Sequence, residues 1–329
     1  MSSLYSNDTL ISILNNAAAQ INRYFALFIF FFGIGGNILN ILVLGQRNFR
    51  SNPCALFFLV SSIANIISIL AGLTSRMLSG WTIDLTNTIT WLCIFRTFVA
   101  WVSRTFSMWI IALASLDRWL LTSINNYRRQ MSTLKNAYRA MIIIFILSIL
   151  VFIQLFFCFA ANIPNTPSKC YGKTETCRLI TDITYTLIIH AIPIFLMFLF
   201  GTMTISNIRS RQQRIQPQEI ISTMATNIQV RRLKGIDQHL LLVLLMQVIV
   251  LSVFTMPGGI QRLYSTFTLT FSKSPLQQAI ENLIYNIVAL LTSLATGASF
   301  YIFTLCGGKL YRNAVRDLIY TVFRKVKCR

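Results

Sequence analysis

The stretch IIALASLDRWLLTSINNYRRQ, residues 110–130, begins as an apolar run and then sets an acid beside a base at Asp117 and Arg118. Such runs suit the hydrocarbon core of a bilayer, and charged residues often mark the point where a membrane helix ends. The stretch therefore predicts a membrane helix that reaches its boundary near Arg118. Whether the two charges have a further role depends on what the rest of the sequence places near them.

The composition of the whole chain is typical of a membrane protein. Hydrophobic residues make up 55% of the 329 residues and charged residues only 12%, whereas a soluble domain carries about 25% charged residues. Six charge-free windows exceed the roughly 20 residues that a helix needs to cross a bilayer, and these are 24–46, 51–75, 140–168, 183–208, 238–261 and 282–308. A seventh window, 97–116, qualifies if one internal charge, Arg104, is accepted.

These windows predict an all-α membrane protein with a seven-transmembrane helix bundle. The helices are expected at 24–46, 53–75, 90–123, 138–162, 182–208, 236–266 and 279–305, within a domain that covers 24–306. Residues 1–23 are expected to form an extracellular tail, and residues 307–329 a short amphipathic eighth helix and a cytoplasmic tail. The first helix is expected to act as an uncleaved insertion signal, because the tail lacks the apolar core of a signal peptide.

Basic residues are distributed unevenly between the windows. Segments 47–50, 118–139, 209–234 and 309–329 carry 2, 5, 6 and 7 Lys and Arg residues, which is 20 of the 29 in the chain. Short cytoplasmic loops are enriched in this way, so the pattern predicts an extracellular N-terminus. Contact with anionic membrane lipids then accounts for the net charge of +20 without nucleic acid.

Cysteines and one sequon fit this topology. Cys93 lies 25 residues before Arg118, roughly 37 Å along a helix, and is therefore expected on the outside, where disulfides form. We favour Cys170 as its partner, and a local Cys170–Cys177 closure is the alternative. The cysteines expected to be inert in the membrane are Cys54, Cys158 and Cys306. Asn7 is a candidate glycosylation site, and Cys328 a candidate palmitoylation site.

A carboxylate is expected near Arg118 at the cytoplasmic boundary. Pro257 interrupts the sixth window, and Asp237 lies 20 residues earlier, roughly 30 Å toward the cytoplasm. An ion pair between Arg118 and Asp237 would hold the sixth helix against the third, and its rupture would let the sixth helix move about the proline. The alternative is that Asp117 and Arg118 simply form a solvated helix terminus.

With these features the sequence resembles the rhodopsin-like G-protein-coupled receptors over nearly its whole length. The matching residues, in chain order, are Asn37, Cys93, Asp117–Arg118–Trp119, Pro193, Pro257 and Tyr301, followed by GGKLYRNAVRDLI as the eighth helix. The resemblance implies a plasma-membrane receptor in which Arg118 packs against a heterotrimeric G protein and Asp237 is the acid of an inner ionic lock. It also implies the Cys93 disulfide and no cofactor.

Several positions depart from the family pattern. Asn65 stands in place of the helix-two aspartate, and Gly297 in place of the helix-seven asparagine. Sodium modulation is therefore not expected, because a hard cation needs anionic oxygen ligands. Gly297–Ala298 also replaces Asn-Pro, and Gly201 replaces the helix-five tyrosine. These changes indicate a divergent receptor with an altered switch.

The ligand is expected to carry an acidic group. Ala100 stands where amine receptors carry an aspartate, and the seventh window contains no lysine for retinal. Arg96, Ala100 and Arg104 are spaced by four residues and share one side of a helix, which the resemblance turns toward the ligand. Arg262, Asp182 and Glu281 are expected near the same level. The alternative is that the two acids pair with the arginines and only tie the bundle together.

A peptide is the leading ligand class, because the expected outer mouth mixes charge with the aromatic residues Trp101, Tyr264 and Tyr285. A lipid acid or a small metabolite anion is the rival. His190 is expected to be a packed or water-bonded residue rather than a ligand contact. The chain has only 2 histidines and 9 acids, so neither a metal site nor an enzyme is predicted. A transporter is disfavoured by the lack of internal repeats.

Overall fold

The computed structural model describes residues 2–81, 84–163, 169–215, 224–268, 271–306, 311–318 and 320, with side chains undescribed at 2–7, 47–48, 211–215 and 224–239. Seven helices in these ranges are long and apolar enough to cross a membrane, which confirms the predicted class. We number them span 1 to span 7: Asp8–Leu44, Pro53–Gly80, Thr90–Thr122, Leu134–Cys158, Glu175–Ser210, Leu240–Phe267 and Pro275–Gly297.

Within and between the spans the elements have the following bounds. The α-helices are Ser2–Gln20, Ala26–Leu44, Arg47–Arg50, Pro53–Gly80, Thr90–Thr122, Asn126–Met131, Leu134–Phe152, Leu155–Cys158, Glu175–Thr184, Ile192–Ile215, Met224–Phe267, Pro275–Gly297 and Ser299–Cys306. Wider π-helical turns occupy Ile21–Phe25 and Tyr185–Ala191, and a 3₁₀ turn covers Leu85–Asn87. Strands β1 (Phe159–Ala160) and β2 (Tyr171–Gly172) form an antiparallel hairpin.

Capping residues set where several spans begin. Asn52 accepts a hydrogen bond from the Cys54 amide ahead of span 2, and Pro53 follows at the first helical position. Thr133 caps span 4, and Ser274 caps span 7 ahead of Pro275. Each cap satisfies an amide that would otherwise lack a partner at the helix start. Span 3, expected at 90–123, runs from Thr90 to Thr122.

The N-terminal segment differs from the expected tail over 1–23. Helix begins at Ser2 and continues through the π-helical turn Ile21–Phe25 to Leu44. Span 1 therefore includes most of the segment that was expected to be a tail. The charge that closed the predicted window, Arg23, donates to the Gly80 carbonyl at the end of span 2, and the buried Asn22 donates to Asn286 of span 7 at 2.9 Å. Because both polar groups find partners inside the bundle, they do not end the helix.

Two disulfides hold one end of the bundle, which we call the disulfide end. Cys93 at the start of span 3 pairs with Cys170 beside β2, the partner favoured from the sequence, and the alternative Cys170–Cys177 closure does not form. Cys177 pairs instead with Cys158. The expectation that Cys158 is inert in the membrane is therefore wrong, because span 4 ends at Cys158 and the hairpin brings the start of span 5 beside it.

The opposite end, which carries Arg118 and is called the Arg118 end, includes part of the expected eighth helix. Residues 311–318 are helical, with Tyr311 and Ala314 buried and Arg312 and Arg316 exposed, as in an amphipathic helix. The Tyr311 hydroxyl donates to Asn40 of span 1 at 2.7 Å. Cys328 lies outside the described residues, as does the side chain of Asn7, so both modifications stay predictions.

Candidate functional site

A cavity of about 650 Å³ opens among the spans at the disulfide end. Its volume falls within the range of roughly 300–1,000 Å³ that is typical of ligand pockets. Spans 1, 2, 3, 5, 6 and 7 and strand β2 contribute to its walls. The charged residues that line it are Arg76, Asp84, Arg96, Arg104, Lys169 and Arg262. Five cations and one acid give the cavity a strongly positive character.

Arg262 of span 6 is the best satisfied of these cations. Its Nη1 atom lies 3.1 Å from Oδ1 of Asp182, whose side chain is fully buried at the start of span 5. The guanidinium also lies 4.2 Å from the Tyr185 ring centre and 5.0 Å from that of Trp101. Asp182 thus neutralises Arg262, and this ion pair joins span 5 to span 6. It agrees with the alternative that the acids pair with the arginines and hold the bundle together.

Asp182 also organises the loop above the cavity. It accepts hydrogen bonds from the Thr266 hydroxyl at 2.5 Å and from the Tyr171 hydroxyl. Burial, and next the Asp182 carboxylate, raises the pKa of Tyr171 above its ordinary value. The phenol therefore stays protonated and keeps donating. Tyr171 and the Cys93–Cys170 disulfide together hold the hairpin as one wall of the cavity.

Arg104 and Arg96 of span 3 have weaker partners. Arg104 donates from Nη1 to the Tyr185 hydroxyl at 3.3 Å, and Arg96 donates from Nη1 to the Ser75 hydroxyl. The Nε atoms of both arginines are buried without a hydrogen-bond partner. In the described part of the chain neither forms an ion pair with a carboxylate. Ala100 lines the cavity between them, which leaves room beside the two guanidinium groups.

Glu281, expected at the same level, lies outside this cavity. It pairs with Lys273 at 2.6 Å and accepts hydrogen bonds from Tyr264 and Gln277 at 3.1 and 3.2 Å. Glu281, Tyr264 and Gln277 line a separate groove of about 500 Å³ between the ends of spans 6 and 7. Glu281 follows the start of span 7 by less than two turns and sits on a different side of that helix from Asn282, Tyr285 and Asn286, which face the cavity.

Arg76 of span 2 is a cavity residue that the sequence analysis did not single out. Its Nη1 atom donates to Asn286 at 3.1 Å, and its guanidinium lies 5.0 Å from the Tyr285 ring centre. The sequence did contain a sign of this role, because Arg76 interrupts the apolar run four residues before Gly80, where span 2 ends. The predicted window 51–75 was closed at Arg76, so this residue was interpreted as a helix boundary.

His190 is fully buried in the π-helical turn of span 5, and its ring lies 5.0 Å from that of Tyr185. Neither of its nitrogens has a hydrogen-bond partner within the described residues. It does not line the cavity, and it packs as the sequence analysis expected. Trp109 of span 3 donates to the Ile188 carbonyl of the same turn at 2.9 Å, which helps to hold the turn in place.

At the Arg118 end the charges from the opening stretch are buried together. Arg118 pairs with Asp117 at 2.7 Å, and the exposed fractions of the two side chains are only 3% and 7%. Arg118 also donates to Asn52 at 3.1 Å, and Ser132 donates to Asp117 at 2.5 Å. The alternative of a solvated helix terminus is therefore wrong, because a buried guanidinium with a carboxylate partner and an amide partner links span 3 to Asn52, the residue before span 2.

The other predicted switch residues lie on the helix Met224–Phe267, which contains span 6, and on the helix Ser299–Cys306, which follows span 7. Asp237 falls in the helix Met224–Phe267, but its side chain lies outside the described residues, so the ion pair with Arg118 stays a prediction. Pro257 lies inside the same helix. Near it the Phe254 carbonyl accepts a hydrogen bond from Thr292 of span 7 at 3.4 Å. Tyr301 stacks on Phe32 with ring centres 3.9 Å apart.

The departures at Asn65 and Gly297 have structural explanations. Asn65 accepts from Ser107 at 2.6 Å, and Ser107 is bonded to Ser61 at 2.9 Å, so these groups satisfy one another without a carboxylate. Gly297 lies against Gly33 of span 1, where an added Cβ would be 2.7 Å from the Gly33 Cα. Only glycine permits this backbone approach.

Comparison with known proteins agrees with this arrangement. The family model described as "7 transmembrane receptor (rhodopsin family)" matches residues 36–297, which is most of the chain. No curated protein matches the sequence. The matched region contains the part of span 1 from Gly36 onward and the whole of spans 2 to 7. It also contains the Cys93–Cys170 disulfide and the buried Asp117–Arg118 pair. The chain therefore belongs to the seven-transmembrane receptors of the rhodopsin family.

Proposed function

We propose that the chain is a plasma-membrane receptor that binds an acidic extracellular ligand, a peptide above all, and activates a heterotrimeric G protein. In this proposal the disulfide end and the N-terminus face the outside, and the Arg118 end contacts the G protein. The basic segments 118–139, 209–234 and 309–329 support this orientation, since Lys and Arg concentrate on the cytoplasmic side.

The observation that carries the ligand proposal is the state of Arg104. This cation lines a cavity within a membrane span but has only a hydroxyl partner, while the neighbouring Arg262 has a carboxylate. Burying a charge in a membrane is costly even on the most lenient scale, at about 2.5–3.5 kcal/mol. A ligand carboxylate would compensate that cost, and a guanidinium binds carboxylates with two parallel hydrogen bonds.

The other lining residues favour a peptide over a lipid acid. Amide side chains line the cavity on several spans, namely Asn15, Asn22, Gln261, Asn282 and Asn286. These groups can pair with the amides of a peptide backbone. A long alkyl chain would offer these groups neither a donor nor an acceptor, whereas a peptide backbone offers both. A small polar organic acid is the second candidate, because it would also fit a volume of about 650 Å³.

On the cytoplasmic side, the proposed coupling follows the family resemblance. Ligand binding against spans 3, 5 and 6 would favour an outward position of span 6 about Pro257. The Arg118–Asp237 pair would break, and Arg118 would become available to the G-protein α subunit. Membrane lipids surround the bundle, whose outer surface carries exposed large apolar residues such as Phe31, Ile142 and Phe195.

A screen of a peptide library in cells with a promiscuous G-protein reporter tests the proposal. Each hit is compared with an analogue whose acidic groups are replaced by amides. We expect hits to be acidic and their amide analogues to be inactive on the receptor. Hits that keep full potency without any acidic group would contradict the ligand proposal. Hits that bind without any reporter response would contradict the coupling proposal.

A further inference from the structure

Arg96 and Arg104 lie on one side of span 3 but reach toward two different sides of the cavity. Arg96 donates to Ser75 of span 2, whereas Arg104 donates to Tyr185 of span 5. The two residues are eight positions apart, which corresponds to about 12 Å along the helix and a turn of about 80° around it. Their guanidinium groups therefore diverge toward different walls, that of Arg96 toward span 2 and that of Arg104 toward span 5.

Each side holds two cations and one acid. On the span 2 side, the cavity is lined by the cations Arg76 and Arg96 and by the acid Asp84. On the span 5 side, Asp182 neutralises Arg262 and leaves Arg104. One positive charge thus remains unmatched on each side within the part of the chain that the structure describes. Lys169 at the rim is exposed and can be hydrated.

We propose that the ligand of this cavity carries two acidic groups separated by about 12 Å, one for the Arg96 side and one for Arg104. This rests on the proposed function and specifies its ligand class. A single acid would neutralise only one side and leave the other guanidinium in the cavity without a counter-charge. In an extended peptide, where each residue spans about 3.3–3.6 Å, the two acids would lie three to four positions apart.

Short synthetic peptides can test the spacing without knowledge of the natural ligand. The series is acetyl-Glu-(Ser)n-Glu-amide with n from 0 to 6, and the matched controls replace one or both Glu residues with Gln. The readout is binding to the purified full-length receptor, measured through the ligand-dependent increase in its thermal unfolding temperature.

We expect the two-acid peptide with n of 2 or 3 to bind about tenfold or more tightly than its one-acid controls, the effect of one added charge-assisted hydrogen bond. Arg96→Gln and Arg104→Gln should each reduce this peptide to the affinity of a one-acid control. Arg96→Lys should keep part of the gain, because the charge remains. Lys173→Gln is the matched control, because Lys173 is exposed near the hairpin and does not line the cavity, and it should leave the spacing dependence unchanged.

The outcomes separate this inference from the proposed function. Suppose one-acid and two-acid peptides bind equally at every spacing and binding still depends on Arg104. The inference is then wrong, while the anion-binding cavity stands. If the peptide with Gln at both positions binds as well as the acidic ones, both are wrong. A gain that does not depend on n would also overturn the inference, because it would reflect net charge alone.

Discussion

Span 3 carries arginines at both ends of the bundle, and the partners of these arginines differ between the two ends. At the Arg118 end, Arg118 is buried against Asp117 and Asn52. At the disulfide end, Arg104 lies in a cavity where, among the described residues, its one hydrogen-bond partner is the Tyr185 hydroxyl and its Nε atom is buried without a partner. One end therefore satisfies its cation internally, and the other leaves a charge unmatched.

The difference teaches how to interpret a buried cation in a membrane bundle. A cation paired with a carboxylate of the same chain contributes to holding the helices, and a change of state requires that pair to break. A cation without such a partner is a cost to the isolated protein, and a bound anion removes that cost. Arg262 belongs to the first kind although it lines the same cavity as Arg104.

The largest expected effect concerns the disulfides that define one of these ends. Cys93 and Cys170 are 77 residues apart, and Cys158 and Cys177 are 19 apart. In the chain-entropy description, the longer loop is worth about 4.5 kcal/mol and the shorter about 3 kcal/mol. We expect the Cys93→Ser/Cys170→Ser receptor to unfold at a lower temperature than the Cys158→Ser/Cys177→Ser receptor in thermal scans of purified protein. The reverse order would indicate that the second disulfide holds the hairpin more directly.

The next effect separates paired from unmatched cations. Asp182→Asn leaves Arg262 without its counter-charge and should destabilise the receptor by about 3 kcal/mol or more. Arg104→Gln removes an unmatched charge and should leave the unfolding temperature unchanged or higher. Both are measured on ligand-free receptor in the same detergent. Equal destabilisation by the two variants would mean that Arg104 is also a structural tie, and the comparison would fail.

A smaller effect is expected at the contact between spans 1 and 7. Gly297→Ala would place a Cβ atom 2.7 Å from the Gly33 Cα atom, so the helices must separate. Overpacking of this kind costs about 1–3 kcal/mol. Gly35→Ala is the matched control, because a Cβ atom there meets nothing within 4 Å. If the two variants unfold at the same temperature, the close approach of spans 1 and 7 is not important for stability.

The smallest effect concerns the Arg118 end. Asp237→Ala removes the acid of the proposed ion pair and should raise basal nucleotide exchange about fivefold, as expected for roughly 1 kcal/mol in a two-state equilibrium. Exchange is measured on a purified G protein at equal receptor concentration. Asp317→Ala in the eighth helix is the control for loss of an acid at this end. Unchanged exchange in Asp237→Ala would remove the ion pair from the mechanism.

Most of the fold was predictable because few charges interrupt the apolar windows. Span 3 was expected at 90–123 and runs from Thr90 to Thr122. The N-terminal helix was missed because Arg23 was treated as a boundary, whereas Gly80 accepts its hydrogen bond within the bundle. The Cys158–Cys177 pair was missed because it depends on how the hairpin folds back.

The candidate site was predictable in part. Arg96, Ala100, Arg104 and Arg262 all line one cavity, because the helical spacing of four residues places the first three on one side of span 3. Sequence could not tell which arginine Asp182 would neutralise, because that depends on the packing of span 5 against span 6. It also could not separate Glu281 from the cavity, since the rotation of span 7 is fixed by its neighbours.

The most direct test of the account is agonist-stimulated nucleotide exchange on a purified G protein, with receptor reconstituted in lipid nanodiscs. The agonist is an acidic peptide obtained from the library screen. We predict that it accelerates exchange through the unmodified receptor, that Arg104→Lys keeps part of the response, and that Arg104→Gln loses it while remaining folded. A full response through the Arg104→Gln receptor would contradict the account, because the unmatched cation would then have no part in recognising the ligand.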